Sequence, residues 1–310
     1  MLSRVADCFY WMSRYIERAE QSARVLDVQM SLTLDDPSAT VAGLLLSGIA
    51  PPPAGFASAL MPTAQGLERI DPRHYAAVAG CVAAARDNAR QIREQISAEM
   101  WEQLNTMYLD ISRSGRRDAS EFTSDIIRDA YLFHGVTEAT LSHGEAWHYV
   151  QLGRSLERAA STAAMLQVYF TARPAGEDAD AGSYVERVGL LRAHAAFEAY
   201  CRCYTAELRP ERLAEFLLLN AELPQSVRFA ADRIEESLRA VARSLSRRPD
   251  GQPDRLAGKL RSALNYGTID EIIEDDLLEY LASIQKQCRQ IHSAIYQTYI
   301  AYPIETAIAR

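Results

Sequence analysis

The chain has 310 residues, 48% of them apolar and 24% charged, which is enough for a full globular core. A net charge of −8 excludes a binder of the nucleic-acid backbone, since that function needs a basic face. The arginine doublets Arg116-Arg117 and Arg247-Arg248 are too short to make one.

Leu2, Val5, Phe9, Met12, Ile16, Ala19, Ala23, Leu26 and Met30 recur at spacings of three and four, which predicts one long amphipathic helix over 2–34. It stops before Asp36-Pro37, because the residue preceding a proline avoids the α region. A short helix over 38–47 and a Pro-rich loop over 50–56 follow. Ala79, Val82, Ala83, Ile92, Ile96, Met100, Leu104 and Met107 predict a second long helix from Arg73 to Ser112, ended by Ser114-Gly115. Helices are expected over 119–138 and 141–172. Past a break at Arg173 to Asp178, more are expected over 183–208, 210–220, 224–246, 254–265 and 269–301. The last begins in a capping box, Thr268 with Glu271 three residues on. No stretch alternates with period two, so the expected fold class is all-α, a large helical bundle.

The start of the chain lacks the charged-then-apolar pattern of a signal peptide. Val41 to Met61 is interrupted by three consecutive prolines and cannot cross a bilayer as one helix, so no membrane partner is expected. Cys8, Cys81, Cys201, Cys203 and Cys288 are odd in number and read as small apolar residues in a reducing, cytoplasmic setting.

The strongest internal signal is a repeat. Residues 14–28 and 154–168 agree at seven of fifteen positions, and the agreement includes the polar ones. Arg14, Glu17, Arg18 and Ala19 recur as Arg154, Glu157, Arg158 and Ala159. Two equivalent long helices, each carrying an Arg-x-x-Glu-Arg-Ala core, are therefore expected in one bundle. The domain is read as 1–310, with 1–140 and 141–310 as its halves. Exposed charges drift freely, since most surface changes cost within about 0.5 kcal/mol. Survival of both Arg/Glu/Arg sets thus points to a covered ion-pair network or a polar cleft, with a solvated face as the plainer alternative.

A second polar strip runs through Arg86, Asn88, Arg90 and Arg93 to Trp101, Glu102 and Asn105. Arginine suits two-point recognition of carboxylate or phosphate. Arg14, Glu17, Arg18, Arg90, Trp101, Asn105, Arg154, Glu157 and Arg158 are therefore the candidate lining of an anion-binding cleft, opposite the reading of Arg86 to Arg93 as a charged helix face. Metal chemistry has weaker support. Glu145-x-x-His148 has the helical spacing of a di-iron ligand pair, but the position 140 residues earlier offers Val5 and Cys8. Neither a metal nor a cofactor is expected. His134, His143 and His194 read as surface or core-edge residues. The acidic run Asp270, Glu271, Glu274, Asp275 and Asp276 sits in the first turns of a helix, where acids favour the positive end of the dipole.

Leu2-Ser3-Arg4-Val5-Ala6 and then Tyr10-Trp11-Met12-Ser13-Arg14-Tyr15-Ile16-Glu17-Arg18-Ala19-Glu20 resemble the opening of the bacterial alpha-E family, an all-helical family of unknown function. The resemblance continues through Arg86 to Arg90, Met100 to Asn105 and Gly153 to Ala159, and extends to Phe197-Glu198-Ala199-Tyr200 and Leu223 to Val227. The family pattern has an acidic residue at the place of Ala160 and arginine at the places of Ala164 and Gln225, so this chain departs from it there. The resemblance implies a partner of an ATP-grasp-type amide or peptide ligase, and with the arginine set the leading reading is an accessory, non-catalytic protein beside such a ligase that holds an anionic substrate or intermediate. The alternative is an autonomous enzyme acting on an acyl or amino-acid-derived substrate, with Glu17 and Glu157 as acid and base in an arginine-lined groove. A homo-oligomer using its helical seams as interfaces is a third reading.

Overall fold

The computed structural model describes residues 1–35, 45–51, 72–113, 118–173, 181–205, 207–246 and 251–301. Among them every regular element is a helix, and the all-α bundle expected from the periodicity is the architecture that forms.

Helix α1 spans Ser3–Asp35. Its apolar seam is buried from Phe9 to Met30, but Leu2 stands outside the helix and is 77% exposed. The expected second long helix is two: α2 (Pro72–Gln91) and α3 (Ala98–Arg113). Ser97 breaks the run by accepting the Met100 N–H on its hydroxyl, 3.1 Å away, as an N-cap does. Ile92 and Ile96 stay buried across the turn, so the apolar pattern runs on where the helix does not. Next come α4 (Ala119–Thr140), entered through Asp118, and α5 (Glu145–Ala172).

The stretch expected as one helix over 183–208 divides into α6 (Ala181–Ala193) and α7 (Phe197–Tyr204). Ala195 lies in the left-handed region at φ 47°, and Ala196 and Ala195 bond back to Leu191 and Arg192 in the paired pattern that ends helices. Helices α8 (Pro210–Leu219), α9 (Val227–Ser244) and α10 (Gln252–Tyr266) follow. The final expected helix is α11 (Ile269–Asp275) and α12 (Leu277–Ile295), continued by a π-turn at Tyr296–Ile300. The Thr268–Glu271 capping box is formed as read. Asp276 starts α12 by accepting the N–H groups of Leu278 and Glu279, so Asp270, Glu271 and Asp276 serve helix starts, whereas Glu274 and Asp275 fall in the last turn of α11. Most of the expected 38–47 helix and of the Pro-rich loop lies outside the described residues; a helical turn at 45–47 and the stretch up to Pro51 are described.

Helix α1 packs on α2, α4 and α5, and α5 packs in turn on α9 and α12. Helices α2, α3 and α4 close a ring with α1, while α9, α10 and α12 close one with α5. The α1–α5 contact is therefore the seam of the molecule. It is very close: a Cβ on Gly153 of α5 would lie 2.2 Å from both the Tyr10 carbonyl oxygen and the Ser13 hydroxyl of α1. Only glycine lets the two backbones approach this far, and the charged side chains one turn along each helix meet as a result.

Candidate functional site

Next to this crossing, the polar residues of α1 and α5 bond to one another. Arg158 grips Glu17 with two parallel bonds, Nε to Oε1 at 2.6 Å and Nη2 to Oε2 at 2.8 Å. Arg18 grips Glu157 in the same way, at 2.6 and 3.1 Å. Arg14 adds a 2.7 Å bond from Nε to Glu157, and Arg154 Nε lies 3.6 Å from Glu17. The two forks even end alike: Arg18 Nη1 donates to the Pro51 carbonyl and Arg158 Nη1 to that of Pro224. Paired, planar arginine–carboxylate bonds of this kind are the strong form of the interaction.

Burial is nearly complete. The carboxylate side chains of Glu17 and Glu157 are 0% and 3% exposed, Arg158 and Arg18 6% and 7%, Arg14 12% and Arg154 28%. Burial pushes the Glu157 carboxyl upward, but the charges and hydrogen bonds of Arg14 and Arg18 outweigh that and hold it at about 2. Glu157 is a fixed anion at neutral pH. Four guanidinium groups share these two carboxylates, so the network carries excess positive charge.

The two flanks differ. Beside Arg154, Glu20 accepts two bonds from Arg24 and lies 3.2 Å from His134 Nε2, and Arg24 also donates to the Tyr131 hydroxyl. Burial and the Arg154 charge depress the His134 pKa, so its ring is neutral and donates to Glu20. Beside Arg14 stand Tyr10 and His292. The Tyr10 hydroxyl is 2.8 Å from His292 Nδ1, and Arg14 Nη1 is 3.1 Å from that hydroxyl and 3.2 Å from Nδ1. Burial and the Arg14 charge lower the His292 pKa to about 4, which leaves Nδ1 free to accept both donors. Trp11 stacks under the Arg14 guanidinium at 4.8 Å and donates to Tyr296, which donates to Asp7. Tyr296 opens the π-turn, a local geometry often found at functional positions.

The nine expected cleft residues do not converge. Arg14, Glu17, Arg18, Arg154, Glu157 and Arg158 do come together, as a paired network with Arg14 and Glu157 at the edge of a cavity beside α5. Arg90 is exposed and pairs with Asp87 within its own helix. Trp101 and Asn105 belong to a separate group around Arg86, which lies 5.5 Å over the Trp101 ring and donates to Asn105 at 2.9 Å. His194, expected at the surface or the core edge, is fully buried and donates to the Leu190 carbonyl. His292 carries no local pattern that marks it in the sequence; α12 brings it to Arg14 only through packing.

Glu17, Glu20 and His134 place their ligand atoms within 4.8 Å of one another, which is compact enough for a metal ion. The donor chemistry does not fit one. Arg158 already forks onto Glu17 and Arg24 onto Glu20, so a cation would have to displace buried guanidinium groups. Among the described residues the cysteines are free: Cys8, Cys81 and Cys288 are buried, Cys201 half-buried and Cys203 exposed. No described helix is long and apolar enough to cross a membrane.

An uncharacterized protein of Mycobacterium bovis and two of Mycobacterium tuberculosis are similar to this chain, each 23% identical over 335 residues. The alignments cover 97% of the chain but only 37% of each relative, so the chain spans little more than a third of their length. No solved structure matches. Residues 1–300 match the Alpha-E family, described as a predicted alpha-helical domain with a conserved ER motif, and the buried Glu-Arg pairs at 17–18 and 157–158 are those that exchange partners across the seam. The chain belongs to the Alpha-E family.

Proposed function

We propose that this chain is an accessory, non-catalytic binding protein that works beside an ATP-grasp-type amide or peptide ligase and holds an anionic substrate or intermediate for it. The observation that carries the non-catalytic half is the closure of both glutamates. A general acid or base must exchange a proton near the working pH. Glu157, held at about 2 by two arginines, is far from that range, and Glu17 is capped by the Arg158 fork and Gln21. The autonomous-enzyme reading required one of these glutamates to reach solvent in a pocket, with burial of both in ion pairs counting against it; Glu157 borders a cavity, but it is 3% exposed and held by Arg14 and Arg18, so that reading is the weaker one.

The accessory half is supported by the relatives. In each of them the matching region is joined to further sequence that makes up most of the chain, as expected of a module working next to another. The class of partner comes from the alpha-E resemblance. Pull-down of the tagged chain from its native host, read by mass spectrometry, tests it. Recovery of an ATP-grasp-type ligase is the expected result. Repeated recovery of the chain alone overturns the partnership.

A further inference from the structure

The two flanks of the arginine–glutamate network differ in one respect that bears on binding. Counting 140 residues on from Glu20 and Arg24 gives Ala160 and Ala164. On the first flank the Glu20 carboxylate supplies a negative charge to Arg154, and Arg24 closes over it. On the second flank the corresponding positions are methyl groups, and the space is a cavity of about 450 Å³. Its walls are the faces of α5 and α12, with the segment at Gly48 as a third side. Gly48 lies directly on α5, since a Cβ there would be 2.9 Å from the Met165 backbone nitrogen.

Arg14, His292 and the Arg14-bound Glu157 line this cavity, and Gln285 and the exposed Arg289 stand on its α12 wall. Arg154 and Arg14 are the network's two incompletely neutralised cations, and of the two only Arg14 borders this cavity. Arg14 makes one bond to Glu157, which Arg18 already holds with two, and its Nη1 meets only the neutral Tyr10 and His292 groups. A guanidinium that spends only its Nε on a carboxylate and borders an unfilled volume has donors left for a second anion there.

We propose that the cavity between α5 and α12 binds a small-molecule carboxylate, seated on Arg14 where the opposite flank holds the side chain of Glu20. Arg289 draws the anion to the edge of the cavity, Arg14 receives its carboxylate at the floor, and the Gln285 amide faces the body of the ligand. A bulk larger than the carboxylate fits the volume vacated at Ala160 and Ala164. This deepens the binding half of the reading above, and it requires no ligase.

The purified full chain, without any partner, is titrated with N-acetylglycine, with the uncharged N-acetylglycinamide and with inorganic phosphate. Calorimetry reads the binding, and fluorescence reports on Trp11, which stacks on Arg14. The expected result is saturable binding of N-acetylglycine and none of the amide. Ala160→Glu supplies the missing carboxylate from the protein itself, and it should weaken N-acetylglycine binding by at least about tenfold, or about 1.4 kcal/mol, with the helical circular dichroism intact. Should that variant not fold, Ala164→Met fills the cavity without charge and carries the same expectation. Three results overturn the proposal: no saturable binding of N-acetylglycine, binding untouched by a folded variant, or phosphate bound more tightly than the carboxylate. Each of these leaves the pull-down for the ligase unaffected, so the two readings fail separately.

Discussion

Replacing Glu157 by glutamine removes one buried charge with almost no change of shape, and the structure sets the size of the effect. The carboxylate accepts from Arg18 Nε and Nη2 and from Arg14 Nε at 2.6 to 3.1 Å. Its pKa of about 2 in the folded chain compares with 4.5 for a free glutamate. At about 1.4 kcal/mol for each tenfold change in proton affinity, the ionised form contributes about 3 kcal/mol to stability at neutral pH. This agrees with the roughly 3–5 kcal/mol typical of removing one member of a buried ion pair. The pH dependence follows from the sign. The folded pKa is depressed, so the unfolded chain binds the proton first, and the contribution is complete above pH 4.5 and lost as pH falls toward 2. Urea unfolding followed by circular dichroism should show Glu157→Gln less stable by about 3 kcal/mol at pH 7 and by about 1.4 kcal/mol at pH 3. A loss below about 1 kcal/mol at pH 7, or one of equal size at both pH values, would refute the assignment of Glu157 as the buried anion of this network.

Two further substitutions test the packing. Gly153→Ala puts a methyl group 2.2 Å from the Tyr10 carbonyl, so α1 and α5 must separate. Overpacking of this kind costs about 1–3 kcal/mol, and in a chain of this length thermal unfolding should come earlier by about 1.5–5 °C; an unchanged midpoint would mean the helices are not held at this distance. Burial lowers the His194 pKa to about 4, against 6.5 for a free histidine, so the unfolded chain takes up the proton first and stability should fall between pH 6.5 and pH 4. His194→Gln should flatten that decline, and an identical pH profile for the variant would show that another group causes it.

The all-α class was legible in the sequence because it depends on periodicity, which every long helix displays whatever it packs against. That Arg14, Glu17, Arg18, Arg154, Glu157 and Arg158 would come together was legible too, from charges kept at matching positions 140 residues apart. Helix breaks without glycine or proline were not legible. The turn at Ile92 to Ser97 keeps both isoleucines buried, and Asp276 interrupts a helical pattern by capping the start of α12. These breaks are made by single side-chain oxygens, a signal too small to see against an uninterrupted apolar rhythm.

Pairing across the seam belongs to the tertiary structure alone. Local chemistry would let Glu17 pair along its own helix with Arg14, leaving the charges in water. The close approach that Gly153 permits instead brings α5 near enough for Arg158 to reach Glu17 and for Arg18 to reach Glu157. Packing of α4 and α12 then places His134 on one flank and His292 on the other, from positions with no spacing relation to the motif. The sequence by itself determined which residues would be charged, apolar and helical. Which charges meet, which carboxylates are closed, and that an open volume remains beside Arg14 at Ala160 and Ala164 were decided by how near two helices can come, a distance that no linear pattern encodes.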